Sequence, residues 1–458
     1  MIILNKYQKN TKILSILGLF IVIILCSMIL GCMSKKVIGT NGKSLKKNVG
    51  KISSDKMKLK TLKSKYNKKK MLKNKSDKNI VSEEYSFKKN VIGCLLPLSG
   101  QFSIFGEKAL KGVEMAVQDL SKQYNQNITV LIKDTQSNDE KAVKCVKELA
   151  EKNVGAIIGP MVTAEFAGKQ ADELEIPIIV MTQKNNIAEN GKYIFNNFLT
   201  PQMQTDSLVS HAFVSLGITK FAILYPEDRY GKTYMNLFSA RVNKLGGKVV
   251  GAASYSHDQT DFSDAVNKIL SSSYAISDSI KETINHDENN RPKHKDEQKK
   301  LILDFEAIFI PEAPLKLSLI LPHLVYNDII DVYLLGTNIW HHNDLIKNSS
   351  EYINNSVITQ GYFAKSKNTR TFKFAENFKL LYNKYPGFIE ACAYDTLKIL
   401  VKTAMEPGIY SQETLIDALA GKRVFDGVTG KTRFDKNGNV HKELFFLTVK
   451  NGKFVEIN

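Results

Sequence analysis

The sequence predicts an α/β protein built of two doubly wound parallel-sheet lobes. Three observations carry this. Continuous apolar runs recur along the chain, as strands buried on both faces require. Amphipathic helical patterns stand between them. Near Pro201 the strand–helix alternation begins a second time, giving two βα units of similar size.

Residues 1–32 read as a targeting segment. Lys6, Lys9 and Lys12 precede an apolar run from Ile13 to Leu30, the order of a secretory signal. Cys32 closes "ILGC", which resembles a bacterial lipobox, with cleavage before Cys32 and lipid on its sulfur. An uncleaved signal anchor is the alternative, because such a run nearly spans a bilayer. Both place residue 33 onward outside the inner membrane.

Residues 33–90 hold 19 Lys against four acids. With few aromatics and no apolar period they cannot bury enough surface to order themselves, and read as a tether. A flexible chain of that length spans about 40 Å r.m.s.. The lysines suit a solvated spacer, or weak attraction to anionic lipid or cell-wall polymer. The net charge of +18 belongs to this tail and the three leading lysines. The folded part is therefore close to neutral, and the high pI is no evidence for nucleic-acid binding.

The first lobe starts at Val91. "VIGCLLP", "ITVLIKD", "GAIIGP" and "IPIIVMT" are its strands, expected to be buried on both faces. Leu110, Val113, Val117 and Leu120 share one helical face. Ser137 and Glu140 form a capping-box pattern ahead of Ala142, Val143, Val146 and Leu149. In the second lobe "KFAILYPED", "GKVVGAASY", "FEAIFIPE" and "VYLLGTN" are strands. The helix after the first of them carries Met235, Phe238, Val242 and Leu245 on one face, with Gly246 just past its end. Residues 271–300 are polar and read as a surface insertion or helical arm. The C-terminal stretch has a β-hairpin signature, with its turn at Lys436, Asn437 and Gly438. Beyond Cys26 and Cys32 only Cys94, Cys145 and Cys392 remain. Buried free thiols are expected for Cys94 and Cys145, and there is no Cys-x-x-Cys or metal-ligand spacing.

Ligands of doubly wound sheets sit outside the carboxyl ends of the strands. The loops there, "PLSGQFSIFG", "GPMVTAE", "TQK", "YPEDRYG", "PEAP" and "GTNIWHH", are rich in Gly, Pro, Ser, Thr and Asn. Gly100 and Gly106 suggest a tight first loop whose amides approach a ligand, with a helix N-terminus behind it that favours an anion.

"IGCLLPLSGQFSIFGEKALKGVEMAV", "AIIGPMVTAEFA", "IPIIVMTQK", "FAILYPEDRYGKTY", "ACAYDTLKIL" and "FDGVTGKTRFDKNGNV" occur in the order seen in type I periplasmic solute-binding proteins. The chain resembles most their leucine/isoleucine/valine-binding branch, and is similar to the penicillin-binding-protein activator lipoproteins. The resemblance spans residues 91–458. It implies two lobes joined by three crossings, with a hinge and a ligand cleft between them. The expected limits are about 91–202 and 341–410 for lobe I, and about 203–340 and 411–458 for lobe II. It also implies that Thr163, in the Gly159-Pro160 turn, contacts a ligand carboxylate or ammonium; a plain helix N-cap is the other role for it. Thr182 resembles a second polar contact, although Gln183 and Lys184 depart from the small residues usual there. Tyr230 resembles the cleft tyrosine of the second lobe, or packs on the hinge. Glu312 is the candidate partner for an ammonium. Asn338 and Trp340 are candidates for the cleft wall, Trp340 alternatively for lobe packing. Ser99 is a polar cleft candidate in the first loop, against plain turn chemistry.

No Gly-x-Ser-x-Gly, Walker or His-Glu-x-x-His pattern is present, so an enzyme is not expected, nor a cofactor. "HHND" does not suit a metal, and "DKNGN" lacks the acidic ligand of a calcium loop. Two functions follow from the resemblance. One is an envelope lipoprotein delivering an amino acid or amide to an inner-membrane ABC permease. The other is a cell-wall lipoprotein that activates a peptidoglycan synthase by contact.

Overall fold

The computed structural model describes residues 87–272 and 303–457. The targeting segment with Cys32, the tether up to residue 86, and the insertion from residue 273 lie outside the described residues.

The first sheet has five parallel strands in the order β2-β1-β3-β4-β5. They are β1 (Val91–Leu96), β2 (Thr129–Asp134), β3 (Ala156–Ile158), β4 (Ile178–Val180) and β5 (Ile194–Asn196). Between them run α1 (Ser103–Tyr124), α2 (Asp139–Glu151) and α3 (Ala164–Glu173). β1 is central, pairing with β2 and β3, which is why its run is apolar on both faces. Ile92, Cys94 and Leu96 face the core under α1, and Leu95 faces the core under α2 and α3. β2 departs from the expectation: it is an edge strand with one neighbour, and Ile132 is 41% exposed. β5 is a three-residue strand that the sequence did not single out.

The second sheet has the order β15-β14-β10-β9-β8-β6-β7. Its parallel strands are β6 (Lys220–Pro226), β7 (Lys248–Tyr255), β8 (Ala307–Phe309), β9 (Tyr333–Gly336) and β10 (Ser356–Gln360). Helices α4 (Pro201–Ser215) and α5 (Arg229–Lys244) cover one face. The helix α6, described over 263–272, and α7 (Pro314–Tyr326) cover the other. α8 (Asn343–Ser349) follows β9. Alternate residues of one strand enter different cores: Phe221 and Ile223 lie under α5, Ala222 and Leu224 under α7.

After β10 the chain returns to the first lobe with α9 (Thr369–Tyr382), α10 (Phe388–Ala404) and α11 (Gln412–Leu419). A three-stranded antiparallel sheet follows, β11 (Phe425–Gly427), β12 (Gly430–Phe434) and β13 (Val440–Lys442). β14 (Phe445–Lys450) and β15 (Lys453–Ile457) then join the second sheet antiparallel. The chain thus crosses between the lobes three times. Two crossings are abrupt: Tyr362 and Leu444 belong to the first-lobe core, while their successors Phe363 and Phe445 belong to the second.

This corrects the expected lobe limits. Residues 341–360 stay in the second lobe, because β10 pairs with β9. Residues 411–444 belong to the first lobe, because Leu415, Phe434 and Val440 are buried in its core. Only β14 and β15 return. The hairpin turn at Lys436–Gly438 is where it was expected, with Gly438 at a positive φ. Cys94, Cys145 and Cys392 are buried free thiols, and burial pushes Cys94 and Cys392 up to about 12.

Candidate functional site

The six loops of interest leave the carboxyl ends of neighbouring strands: β1, β3 and β4 in the first lobe, and β6, β8 and β9 in the second. The opening loop is organised by Asp134, the last residue of β2. Its carboxylate accepts the Leu98 and Ser99 N–H groups (2.9 and 3.2 Å), the Ser99 hydroxyl (2.6 Å) and the Gln136 N–H (2.8 Å). Burial alone would raise this carboxyl, but these bonds outweigh it and hold it below its ordinary range. Gly100 turns the loop at φ 83°, and a side chain there would strike the Gln136 carbonyl. Gly106 is not part of the loop. It lies inside α1, where a side chain would collide with the Pro97 carbonyl. Ser99 and two of the loop's amides are therefore spent on Asp134.

The capping of α2 also differs from the expectation. Asn138 is the N-cap, its Oδ1 accepting the Lys141 N–H at 2.9 Å. Ser137 instead accepts the Phe102 N–H at 3.2 Å, tying the two first-lobe loops together.

Thr163 precedes α3 but does not cap it with its side chain. It is 2% exposed, and its hydroxyl has no partner. A buried hydroxyl left unsatisfied costs about 1–3 kcal/mol, so its position needs a reason. Thr135, just after β2, Ser356 and Tyr362 also have buried hydroxyls without a partner among the described residues. Thr182 is buried, and exchanges main-chain bonds with the Asn196 amide (3.2 and 3.0 Å). Lys184 reaches back 2.6 Å to Glu165 in the first turn of α3.

In the second lobe Tyr230 opens α5 beside its cap, Asp228. Its hydroxyl lies 3.2 Å from the Thr337 hydroxyl and its ring 4.7 Å from that of Tyr234. Glu312 follows β8. It is nearly buried, accepting the Tyr255 hydroxyl and the Ala313 N–H, both at 2.6 Å. Burial pushes its carboxyl up; the bonds from Tyr255 and Ala313 oppose this, and the charge of Asp228 adds to it. Asn338 is fixed through its main chain: its N–H donates to Gln204 Oε1 (2.9 Å) and its carbonyl accepts Gln360 Nε2 (2.7 Å). Gln204 also donates to the Tyr234 hydroxyl at 2.8 Å, so one buried amide ties the loop after β9 to α5.

Trp340 takes the lobe-packing role of its two expected ones: it is fully buried in the second-lobe core, its ring filling the space a Gly336 side chain would take and its Nε1 without a partner among the described residues. His341 packs edge-on against Phe363 and Phe454, and burial lowers it to about 4. Asp134, Tyr255 and Gln204 were not foreseen; the signal for Asp134 was an acid ending an apolar run. Among the described residues no group of three or more His, Cys, Asp and Glu is placed to hold a metal, and no helix is long and apolar enough to cross a membrane.

Residues 90–276 match the family model described as periplasmic binding protein. The chain has the fold of the type I periplasmic binding proteins that its sequence motifs resemble. It is 23% identical over 188 residues to the Leu/Ile/Val-binding protein homolog 3 of Brucella melitensis. That alignment covers 39% of this chain and 51% of the relative, so the chain spans about half the length of the curated relative it matches. A putative branched-chain amino acid ABC transporter from Rhodospirillum rubrum superposes with a TM-score of 0.69 at 18% identity, covering 80% of this chain and 99% of that one. LivJ of Streptococcus pneumoniae, a branched-chain amino acid transporter substrate binding protein in complex with isoleucine, superposes at 0.54 and 20% identity, covering 80% and 99%.

Proposed function

We propose that this chain is an envelope solute-binding lipoprotein that captures an amino acid or amide between its lobes and delivers it to an ABC permease, without catalysing a reaction. The observation that carries this is the buried, unpartnered hydroxyl of Thr163 at the N-terminus of α3. Together they suit a carboxylate. Glu312, held by Tyr255, suits the ammonium from the other lobe. Ser99, Thr182, Tyr230 and Asn338 complete the proposed set, Ser99 and Asn338 mainly by shaping their loops. Trp340 is left out.

A thermal-shift screen of the full chain against leucine, isoleucine, valine, other amino acids and their amides tests this. A ligand at 100 times its Kd adds about 2.7 kcal/mol. The shift should vanish in Thr163→Val. No shift with any of these compounds would overturn the reading and leave the peptidoglycan-synthase contact as the one to test. Anchoring through a lipid on Cys32 belongs to the same proposal. Replacing Cys32 with Ser should move the protein from the membrane fraction to the soluble one, and unchanged fractionation would reject the lipid.

A further inference from the structure

Lys442 ends β13, two residues before the third crossing. It is 8% exposed. Its Nζ donates to Asn197 Oδ1 at 3.0 Å and Thr432 Oγ1 at 2.6 Å. Asn197 is fully buried and lies in the first crossing, between β5 and α4. Its Nδ2 donates to the Thr396 hydroxyl on α10 at 2.8 Å, and its carbonyl accepts the Cys392 thiol at 3.0 Å. One lysine thus ties the first crossing to the third, over the helix that both pack against.

Both acceptors that the structure gives the amine are neutral, and among the described residues no carboxylate lies within 4.0 Å of it, so nothing nearby offsets the cost of burying its charge. The titratable groups acting on Lys442 are Cys392 and Asp395, both from α10. Asp395 is already committed to the Val428 and Thr429 N–H groups and the Thr429 hydroxyl. β12 and the first crossing present only the neutral Thr432 and Asn197. Burial lowers the amine below its ordinary value, and the two acidic groups oppose this.

We propose that Lys442 is a proton-operated latch of the hinge. Its neutral amine holds the first and third crossings in the arrangement seen here, and its protonation favours another lobe arrangement in which water reaches the nitrogen. The latch needs no ligand, so its test is separable from that of the ligand reading.

The experiment measures the interlobe distance in the ligand-free full chain. Spin labels are carried by non-canonical residues at the exposed positions 144 and 244, and the pH is varied from neutral to 11. The wild type should move between two distance distributions with a midpoint below 10.5. Lys442→Met should show no pH dependence, and Lys442→Arg should hold the low-pH distribution throughout. A wild type that does not move, or a Lys442→Met that still does, overturns the latch. If Lys442→Met does not fold, Asn197→Asp serves instead. A carboxylate beside the amine should raise the midpoint by about one unit or more, and an unchanged midpoint overturns the proposal.

Discussion

Thr163 and Glu312 are preorganised in opposite ways. Thr163 keeps a hydroxyl buried without a partner, so the free protein gains nothing from it. Thr163→Val removes that group at nearly constant volume. The free protein should be equally stable or more stable, while ligand affinity falls about 10- to 100-fold, the worth of a hydrogen bond to a charged group. Calorimetric titration beside a melting curve separates the two; a large loss of stability would mean the hydroxyl has a structural partner after all. Glu312 carries a pH signature. Its folded carboxyl is raised above its ordinary 4.5. Between that value and the raised one the folded state binds more protons than the unfolded, so stability falls as pH climbs through the window. Glu312→Gln, which keeps an acceptor for Tyr255, should flatten that stretch of the stability–pH curve and weaken an amine-bearing ligand. An unchanged curve would show that Glu312 does not titrate there.

At the scale of elements, the α1–α10 pair carries the first lobe. A side chain at Gly112 would strike the Glu390 carbonyl, backbone that cannot swing aside. Gly112→Ala should therefore part the helices and cost about 1–3 kcal/mol as overpacking, whatever helix propensity the alanine adds. Denaturant melts of the two proteins would show it, and equal midpoints would mean the helices slide freely. Elements were legible where their pattern was local. β1, the α5 face and the hairpin turn follow from apolar period and turn residues. Ser137 misled because Asn138, one residue later, makes an equally good cap, and it is Asn138 that has the extended backbone of a cap while Ser137 sits at φ 55°. β2 looked buried on both faces because the sequence does not show that nothing pairs on its far side. β5 is too short to leave a period.

At the scale of the molecule, the two-lobe class was legible in the order of motifs, whereas the lobe limits were not. Leu444 and Phe445 are both apolar, and nothing local says that they enter different cores. The candidate site was legible only as strand ends. Partners such as Asp134 with Ser99 and Tyr255 with Glu312 are 35 and 57 residues apart, and are joined by sheet order alone. Trp340 was left between two roles for the same reason: nothing local to a residue just past a strand end says that its side chain turns back under Gly336.

The crossings also fix an order of assembly. The second lobe's parallel strands all come from one uninterrupted stretch, β6 to β10. The first lobe's core is incomplete until α10, α11 and β12 have been made, near the end of the chain. Although residues 91–196 emerge earliest, their sheet lacks half its cover until then. The lobe that begins first is completed only by α10, α11 and β12, just before β14 and β15 close the second sheet. During synthesis it is the early segment, with the apolar face of β1 waiting for α10, that is most open to aggregation and most dependent on being kept apart until the C-terminus arrives.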